Sequence, residues 1–315
     1  MLLDVGLVLL QVLLLLLLAP LFGGAIKKVK AALQSRRGPP LLQGYYDLGK
    51  LLAKDPVVSA TSSWVFRCTP YIVFAATLVA GLLVPIVTVA SPLGFVGDLI
   101  AVVYLLALAR FFTALAGLDT GSAFGGLGSS REMFISALLE PALLLVIFTA
   151  ALTSGSSDLG RVSSSMIGLG PGALGPPHAL AFAALFIVAI AETGRIPVDN
   201  PATHLELTMV HEAMILEYSG RGLAFVEWAS SIKQLVVFTI LIDLFLPWGL
   251  AVGVGVGLIS ALLLYLFKLL AMVAVVALVE TSSAKLRLFR VQDLLTLSIT
   301  LSFLALVSIY ITGAV

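Results

Sequence analysis

The chain has 315 residues, 60% of them hydrophobic and 11% charged, with a net charge of +1 and a mean hydropathy of +1.13. Apolar runs of about twenty residues recur along it, the length that crosses a hydrocarbon core of about 30 Å, so the expected class is an all-α polytopic membrane protein in a lipid bilayer. The small net charge excludes a nucleic-acid partner, and the single cysteine, Cys68, excludes an internal disulfide or a cysteine-held iron–sulfur or zinc site within the chain.

In chain order, the hydropathy predicts eight spans, about 4–26, 69–90, 97–117, 133–153, 178–194, 223–246, 250–279 and 291–314, in one membrane domain covering 1–315. The first resembles a signal-peptide core in its run from Leu13 to Leu18. It is read as retained, because its apolar stretch is longer and no basic segment precedes it. The loop after it, 27–68, is the longest polar excursion. Within it Leu41, Leu42, Tyr45, Leu48, Leu51 and Leu52 recur at helical spacing, which predicts an amphipathic helix lying on the membrane surface or under a docked protein. Asp47, Lys50 and the Tyr45–Tyr46 pair offer directional contacts suited to docking, while ordinary anionic-lipid anchoring explains the basic residues equally well.

The Gly-rich run 121–128 follows a span rather than a strand and lacks a GK[ST] element, so a nucleotide loop is not expected. Residues 153–177 read as a Ser/Gly/Pro-rich outer loop with one charge pair, Asp158 and Arg161. Gly249, Gly253 and Gly257, four apart, predict a smooth face for close helix packing. The loops after spans one, three, five and seven, with Arg110 and Arg131 assigned to the second of these, carry 15 of the 18 Lys and Arg. Only Arg161 lies opposite, and Lys233 and Lys268 fall inside spans. The positive-inside rule then puts those loops in the cytoplasm and both termini outside the cell membrane.

Ionisable residues inside a bilayer cost a few kcal/mol each and need an interior partner or water. Glu140, just before Pro141, together with Glu192, Lys233, Asp243 and Lys268, are of this kind. They fit either structural ion pairs within the bundle or a proton or ion path.

The densest cluster is Ala191–Gly220, AETGRIPVDNPATHLELTMVHEAMILEYSG, with Glu192, Asp199, Glu206, Glu212, Glu217, His204 and His211. Asn200 and Pro201 make a good helix start, so a helix over about 201–218 is expected, with Glu206 and Glu217 on one face and His211 and Glu212 pointing elsewhere. It is too apolar to float free, which predicts a re-entrant segment buried in protein or lining a watery cavity. Crowded, buried carboxylates raise one another's pKa and can exchange protons near neutrality. His204, Glu206 and His211 do not have the HExxH spacing of a zinc site, and no metal ligand set is assigned.

RIPVDNPATHLELTMVHEAMILEYSG, SRRGPPLLQGYYDLGKLLAKD and GLDTGSAFGGLGSSREM followed by Glu140 resemble the membrane subunit that joins the peripheral arm to the pump in respiratory complex I and in group 4 membrane-bound [NiFe]-hydrogenases, formate hydrogenlyase included. Quinone-reducing members usually read R-x-P-F-D-L-P-E-A-E-S-E-L. Val198, Asn200, Thr203 and His204 depart from that pattern toward the hydrogenase branch and put a quinone site in doubt.

The resemblance implies no cofactor in this chain, with iron–sulfur clusters and a NiFe centre in partner subunits. The implied partners are a hydrogenase large subunit, an iron–sulfur small subunit and antiporter-like membrane subunits. It also implies a proton path through Glu140, Glu192, Asp199, Glu206, Glu212 and Glu217, to which His211, Lys233, Asp243 and Lys268 are candidate additions, and docking through Arg36, Arg37, Asp47, Lys50 and Asp119, with Arg131 and Arg195. A membrane component of a quinone-reducing NADH dehydrogenase is the alternative. A stand-alone ion transporter is disfavoured by the lack of a repeated broken helix in two halves. A purely structural anchor would tolerate neutralisation of the acids.

Overall fold

The computed structural model describes residues 2–312 except 60, 90–92, 94–97, 171–174, 201–208 and 252–256. Its helices are α1 (Leu2–Leu33), α2 (Gln43–Leu52), α3 (Trp64–Leu83), α4 (Leu99–Asp119), α5 (Ala123–Ser154), α6 (Leu159–Leu169), α7 (Pro176–Glu192), α8 (His211–Ile215), α9 (Gly220–Phe245), α10 (Gly257–Ser282) and α11 (Leu288–Thr312). Among the described residues the only pairing outside helices is two isolated bridges, Thr88 with Ala251 and Asp98 with Asp158. Seven helices, α1, α3, α4, α5, α9, α10 and α11, are long and apolar enough to cross a membrane, whereas the predicted fifth span is a shorter apolar helix of 17 residues, α7.

Helix α9 is the axis of the bundle. Every residue from Gln234 to Phe245 is buried, as expected of a helix apolar on all sides. Helices α1, α3, α7 and α10 pack around it, and α11 closes the far side against α5 and α7. Two prolines fix how its neighbours meet it. Pro20 has no N–H for the Leu16 carbonyl, and Trp228 Nε1 of α9 donates to that oxygen at 3.2 Å. Pro70 leaves the Phe66 carbonyl free in the same way, and the Tyr218 hydroxyl donates to it at 2.9 Å. Buried Gln11 of α1 donates to Gly81 O and Val84 O, at 2.8 and 2.7 Å, satisfying the end of α3.

The amphipathic helix forms where the spacing predicts it, as α2, against α1 and α9. Leu41 O lies so close to Gly24 that a Cβ there would sit 2.5 Å from it, so α1 must carry glycine at that point.

Several expectations need correction. Lys27, Lys28 and Lys30 belong to the last turns of α1 rather than to a loop, and the first loop ends at Ser63, whose hydroxyl caps α3. Arg110 and Arg131 lie inside α4 and α5. The Gly-rich run 121–128 is the start of α5, where the Ser122 hydroxyl accepts from Gly125 N at 3.1 Å and opens the helix. The outer loop 153–177 contains α6, capped by Asp158. The seventh span begins at Gly257, not 250. Gly249 sits in the preceding turn at φ +97°, and Gly253 lies outside the described residues, so that glycine face does not form as predicted.

The expected helix over 201–218 is not continuous. Residues 201–208, with His204 and Glu206, lie outside the described residues, Met209 and Val210 are not helical, and α8 has five residues. The span after it starts at Gly220, which shortens the acidic loop from the predicted 195–222.

Candidate functional site

The charged groups near the ends of α4, α5, α7, α9 and α10 converge. Arg110 of α4 is the hub: its guanidinium is buried, donates to Glu192 at the end of α7, lies 3.2 Å from Glu140 Oε1 and 3.7 Å from Glu132 Oε1, both on α5. Lys233 of α9 lies 3.6 Å from the other Glu192 oxygen. One buried cation serving three carboxylates with a second cation behind them is a connected network, and buried charges persist only in such company. Glu140 differs from the rest, because its side chain is 44% exposed on the outer surface of the bundle.

A cavity of about 470 Å³ opens beside this network, walled by Lys27 and Lys30 of α1, Glu132, Glu192, Arg195, Asp199, His211, Glu212, Glu227, Lys233, Gln234 and Glu280. Glu132, His211 and Lys233 also line an adjoining space of about 20 Å³ against Arg110, enough for one water. Gln234 Nε2 and Glu192 Oε1 are buried without a hydrogen-bond partner among the described residues. Orphan donors and acceptors on a polar cavity wall are the groups that ordered water satisfies.

The rim is held by two further ion pairs. Glu280 of α10 binds Arg195 at 2.7 Å and Lys30 at 2.8 Å, and Lys285 binds Asp199 at 2.7 Å. Asp199 also accepts from Asn200 N at 2.8 Å and His211 N at 3.4 Å, and Leu286 N donates to Pro197 O at 2.9 Å, so the segment 195–200 is tied to the α10–α11 corner. On α8, burial pushes the Glu212 carboxyl up to about 7, helped by the negative charges of Glu227 and Asp199 and opposed by Lys27. Burial, with the Lys233 charge, pushes the His211 imidazole down to about 4, against Glu227 and Asp199.

The predicted path residues therefore divide. Glu140, Glu192, Asp199, Glu212, His211 and Lys233 share the network or the cavity wall. Glu217 is exposed and apart from them, and Glu206 lies outside the described residues. Asp243 and Lys268 form a separate outer cluster: Lys268 Nζ donates to the Leu246 and Trp248 carbonyls at the end of α9, Asp243 Oδ2 has no hydrogen-bond partner among the described residues, and Tyr265 bonds Thr239 at 2.7 Å. Buried Leu235, Phe238 and Leu241 lie between Lys233 and Asp243 on α9.

Of the docking candidates, Arg36, Arg37, Asp47 and Lys50 are exposed. Asp119 caps α3 through Ser63 N at 2.8 Å and Phe66 N at 3.3 Å, Arg131 donates to Met209 O at 3.0 Å, and Arg195 is engaged with Glu280. Sequence reading missed Arg110 as the hub and did not single out Glu132, Glu227, Glu280 or Lys285. Glu132 and Glu227 stand inside helices predicted as apolar spans or their approaches, and being ionisable there was the available signal.

A helical bundle with apolar exteriors and a charged, cavity-bearing interior defines a multi-pass membrane protein that handles charge within its own core. The chain belongs to the NADH dehydrogenase family, whose model matches residues 5–312. It is 40% identical to formate hydrogenlyase subunit 4 of Escherichia coli K12 over 96% of this chain and 97% of that one, and 36% identical to hydrogenase-4 component C of the same organism over 96% and 95%. A membrane component of the NADH-quinone oxidoreductase of Thermomicrobium roseum is 32% identical over 70% of each chain. The fold is similar to that of a chain of the membrane-bound sulfane sulfur reductase, an archaeal respiratory membrane complex, with a TM-score of 0.83 at 21% identity over 96% of this chain and 99% of that one. The chain is thus a membrane oxidoreductase-complex subunit related to hydrogenase, formate hydrogenlyase and complex I proteins.

Proposed function

We propose that this chain is the anchoring and coupling subunit of a membrane-bound hydrogenase of the formate hydrogenlyase type, moving protons between its cytoplasmic-side cavity and a neighbouring membrane subunit. The observation that carries the reading is Arg110 joined to Glu132, Glu140 and Glu192 on the edge of a polar cavity of about 470 Å³. Glu212, His211 and Asp199 line the entry, Glu192 and Lys233 follow, and Glu140 is the exit because its carboxyl reaches the bundle surface. A half-exposed carboxylate at that depth needs a polar partner rather than lipid, and an antiporter-like subunit supplies one. Asp243 and Lys268 fall outside this route, since the apolar stretch Leu235–Leu241 interrupts polar contact along α9.

The electron-carrying subunits dock on the first loop, with Arg36, Arg37, Asp47 and Lys50 exposed for them. Iron–sulfur clusters and the nickel centre reside in those partners, because this chain has a single cysteine. Counting α7, the chain crosses the membrane eight times, with both termini outside and the cavity toward the cytoplasm. The hydrogenase-type reading is favoured over a quinone-reducing one by the relatives themselves. The formate hydrogenlyase and hydrogenase-4 proteins match over 96% of the chain, the NADH-quinone oxidoreductase relative over 70%. Coupling is electrostatic: a unit charge about 8 Å away contributes about 2 kcal/mol at an effective dielectric of 20, more than one pKa unit. In sealed vesicles bearing the whole assembly, Glu192→Gln or Glu140→Gln retains hydrogen evolution but loses coupled proton translocation. Full translocation in both variants would refute the path.

A further inference from the structure

The end of the acidic segment is fastened to the first cytoplasmic loop across 162 residues of sequence. Ser219 Oγ accepts from Val57 N at 2.8 Å and donates to Val57 O at 3.0 Å, using both capacities of one hydroxyl on one residue. Next to it Gly220 has φ +52°, and a Cβ there would lie 2.7 Å from the backbone of Lys54 and Asp55, so the two backbones touch where only glycine fits. On the other side Tyr218 is buried, stacks on Phe66 with ring centres 4.0 Å apart and 5° between planes, and fills the carbonyl vacated by Pro70. Tyr218 N in turn bonds Ile215 O at 3.0 Å, joining this fastening directly to α8.

Helix α8 has little room to move independently. A Cβ on Gly128 of α5 would lie 2.9 Å from Ala213 Cβ and from Val210 O, and one on Gly117 of α4 would lie 3.3 Å from Met214 Cβ. Arg131 of α5 holds the Met209 carbonyl just ahead of it. The same short helix carries His211 and Glu212 on the cavity wall, facing Glu227 and Lys233 of α9, Glu132 of α5, Lys27 of α1 and Asp199.

We propose that Tyr218, Ser219 and Gly220 form a mechanical clamp by which the position of residues 54–57 in the first loop sets the position of α8, and with it His211 and Glu212, relative to the Arg110 network. These are positioning residues. The clamp rests on the proposed coupling role only for its input, the docking of a partner on the first loop. The mechanical link itself is independent of whether protons move.

Hydrogen–deuterium exchange on the whole assembly in mild detergent tests it. Ser219→Ala removes both bonds to Val57 and is expected to raise exchange at 211–218 about fivefold, the factor that accompanies loss of one net hydrogen bond, with α3 and α9 unchanged. Ser219→Thr keeps the hydroxyl and restores parental exchange. Gly220→Ala, which forces the backbones apart, reproduces the Ser219→Ala pattern. Exchange that rises only at 54–58 and 219–220 overturns the clamp, and so does a uniform rise through α3 and α9, which reports general loosening. Neither result bears on proton translocation by the Glu192 and Glu140 variants, so failure of the clamp and failure of the proton path are separately readable.

Discussion

At the scale of single residues, Arg110 decides more than any other side chain. Its removal leaves Glu132, Glu140 and Glu192 facing one another with Lys233 as the nearest remaining cation, and breaking a buried pair by deleting one partner costs about 3–5 kcal/mol. Arg110→Ala therefore lowers the midpoint of thermal unfolding in detergent, and the double variant with Glu192→Gln recovers part of the loss because one orphaned charge goes with it. A double variant no more stable than Arg110→Ala would show that the cluster is not coupled.

His211 and Glu212 give opposite pH dependences. The folded chain keeps a proton on Glu212 between 4.5 and about 7 that the unfolded chain has released, so stability falls with rising pH through that window. It lacks a proton on His211 between about 4 and 6.5 that the unfolded chain carries, so stability rises there. The two slopes offset where they overlap. Glu212→Gln then exposes a rise in unfolding midpoint from pH 4 to 6.5, and a profile unchanged from the parent would contradict the raised carboxyl. The acids at 192–217 were legible in the sequence by their density alone. Their cation was not, because Arg110 counted with loop residues as long as only hydropathy set the boundary. Nothing local in the sequence pairs α4 with α5 and α7.

At the scale of elements, helix periodicity located α2 and most of the spans, since an apolar stripe or run needs no tertiary partner to be visible. Ends were harder. Helix α1 continues through Lys30 because that lysine has Glu280 of α10 to bind, and α5 begins nine residues before Glu132 because Gly125 and Gly128 let it lie flush on α4 and α8. Helix α6 was invisible behind its Ser and Gly content, although Asp158 is a good capping residue. The glycine contacts make a firm prediction. Gly128→Ala places a methyl 2.9 Å from Ala213 Cβ and Val210 O, so α8 must move outward, at a cost of about 1–3 kcal/mol for overpacking. Gly126→Ala, with nothing within 4 Å, is neutral or slightly stabilising. Equal unfolding midpoints for the two would deny that α8 is seated on α5.

For the whole molecule, the number of crossings fixes which groups share a side. Helix α7 has 17 residues, a rise of about 26 Å against a hydrocarbon core of about 30 Å. That shortfall costs a fraction of a kcal/mol per Å, and α7 packs against α5, α9 and α11, which reduces its exposure to lipid. Glu192 at its end meets Arg110 of α4 and Lys233 of α9, and Lys30 near the end of α1 meets Glu280 near the end of α10. If α7 crosses, the count is even and α1 begins and α11 ends on the same face. If it does not, the ends lie on opposite faces, and one of the two charged ends of the bundle must be translocated against the positive-inside bias. Alkaline phosphatase fused after Val315 is expected to be active. The same enzyme inserted in the first loop after Arg37 should be inactive, and a fluorescent protein at that internal position should fold. An inactive C-terminal fusion, with the N-terminus accessible from outside, would return the count to seven and detach the cavity from the cytoplasmic face on which the coupling reading depends.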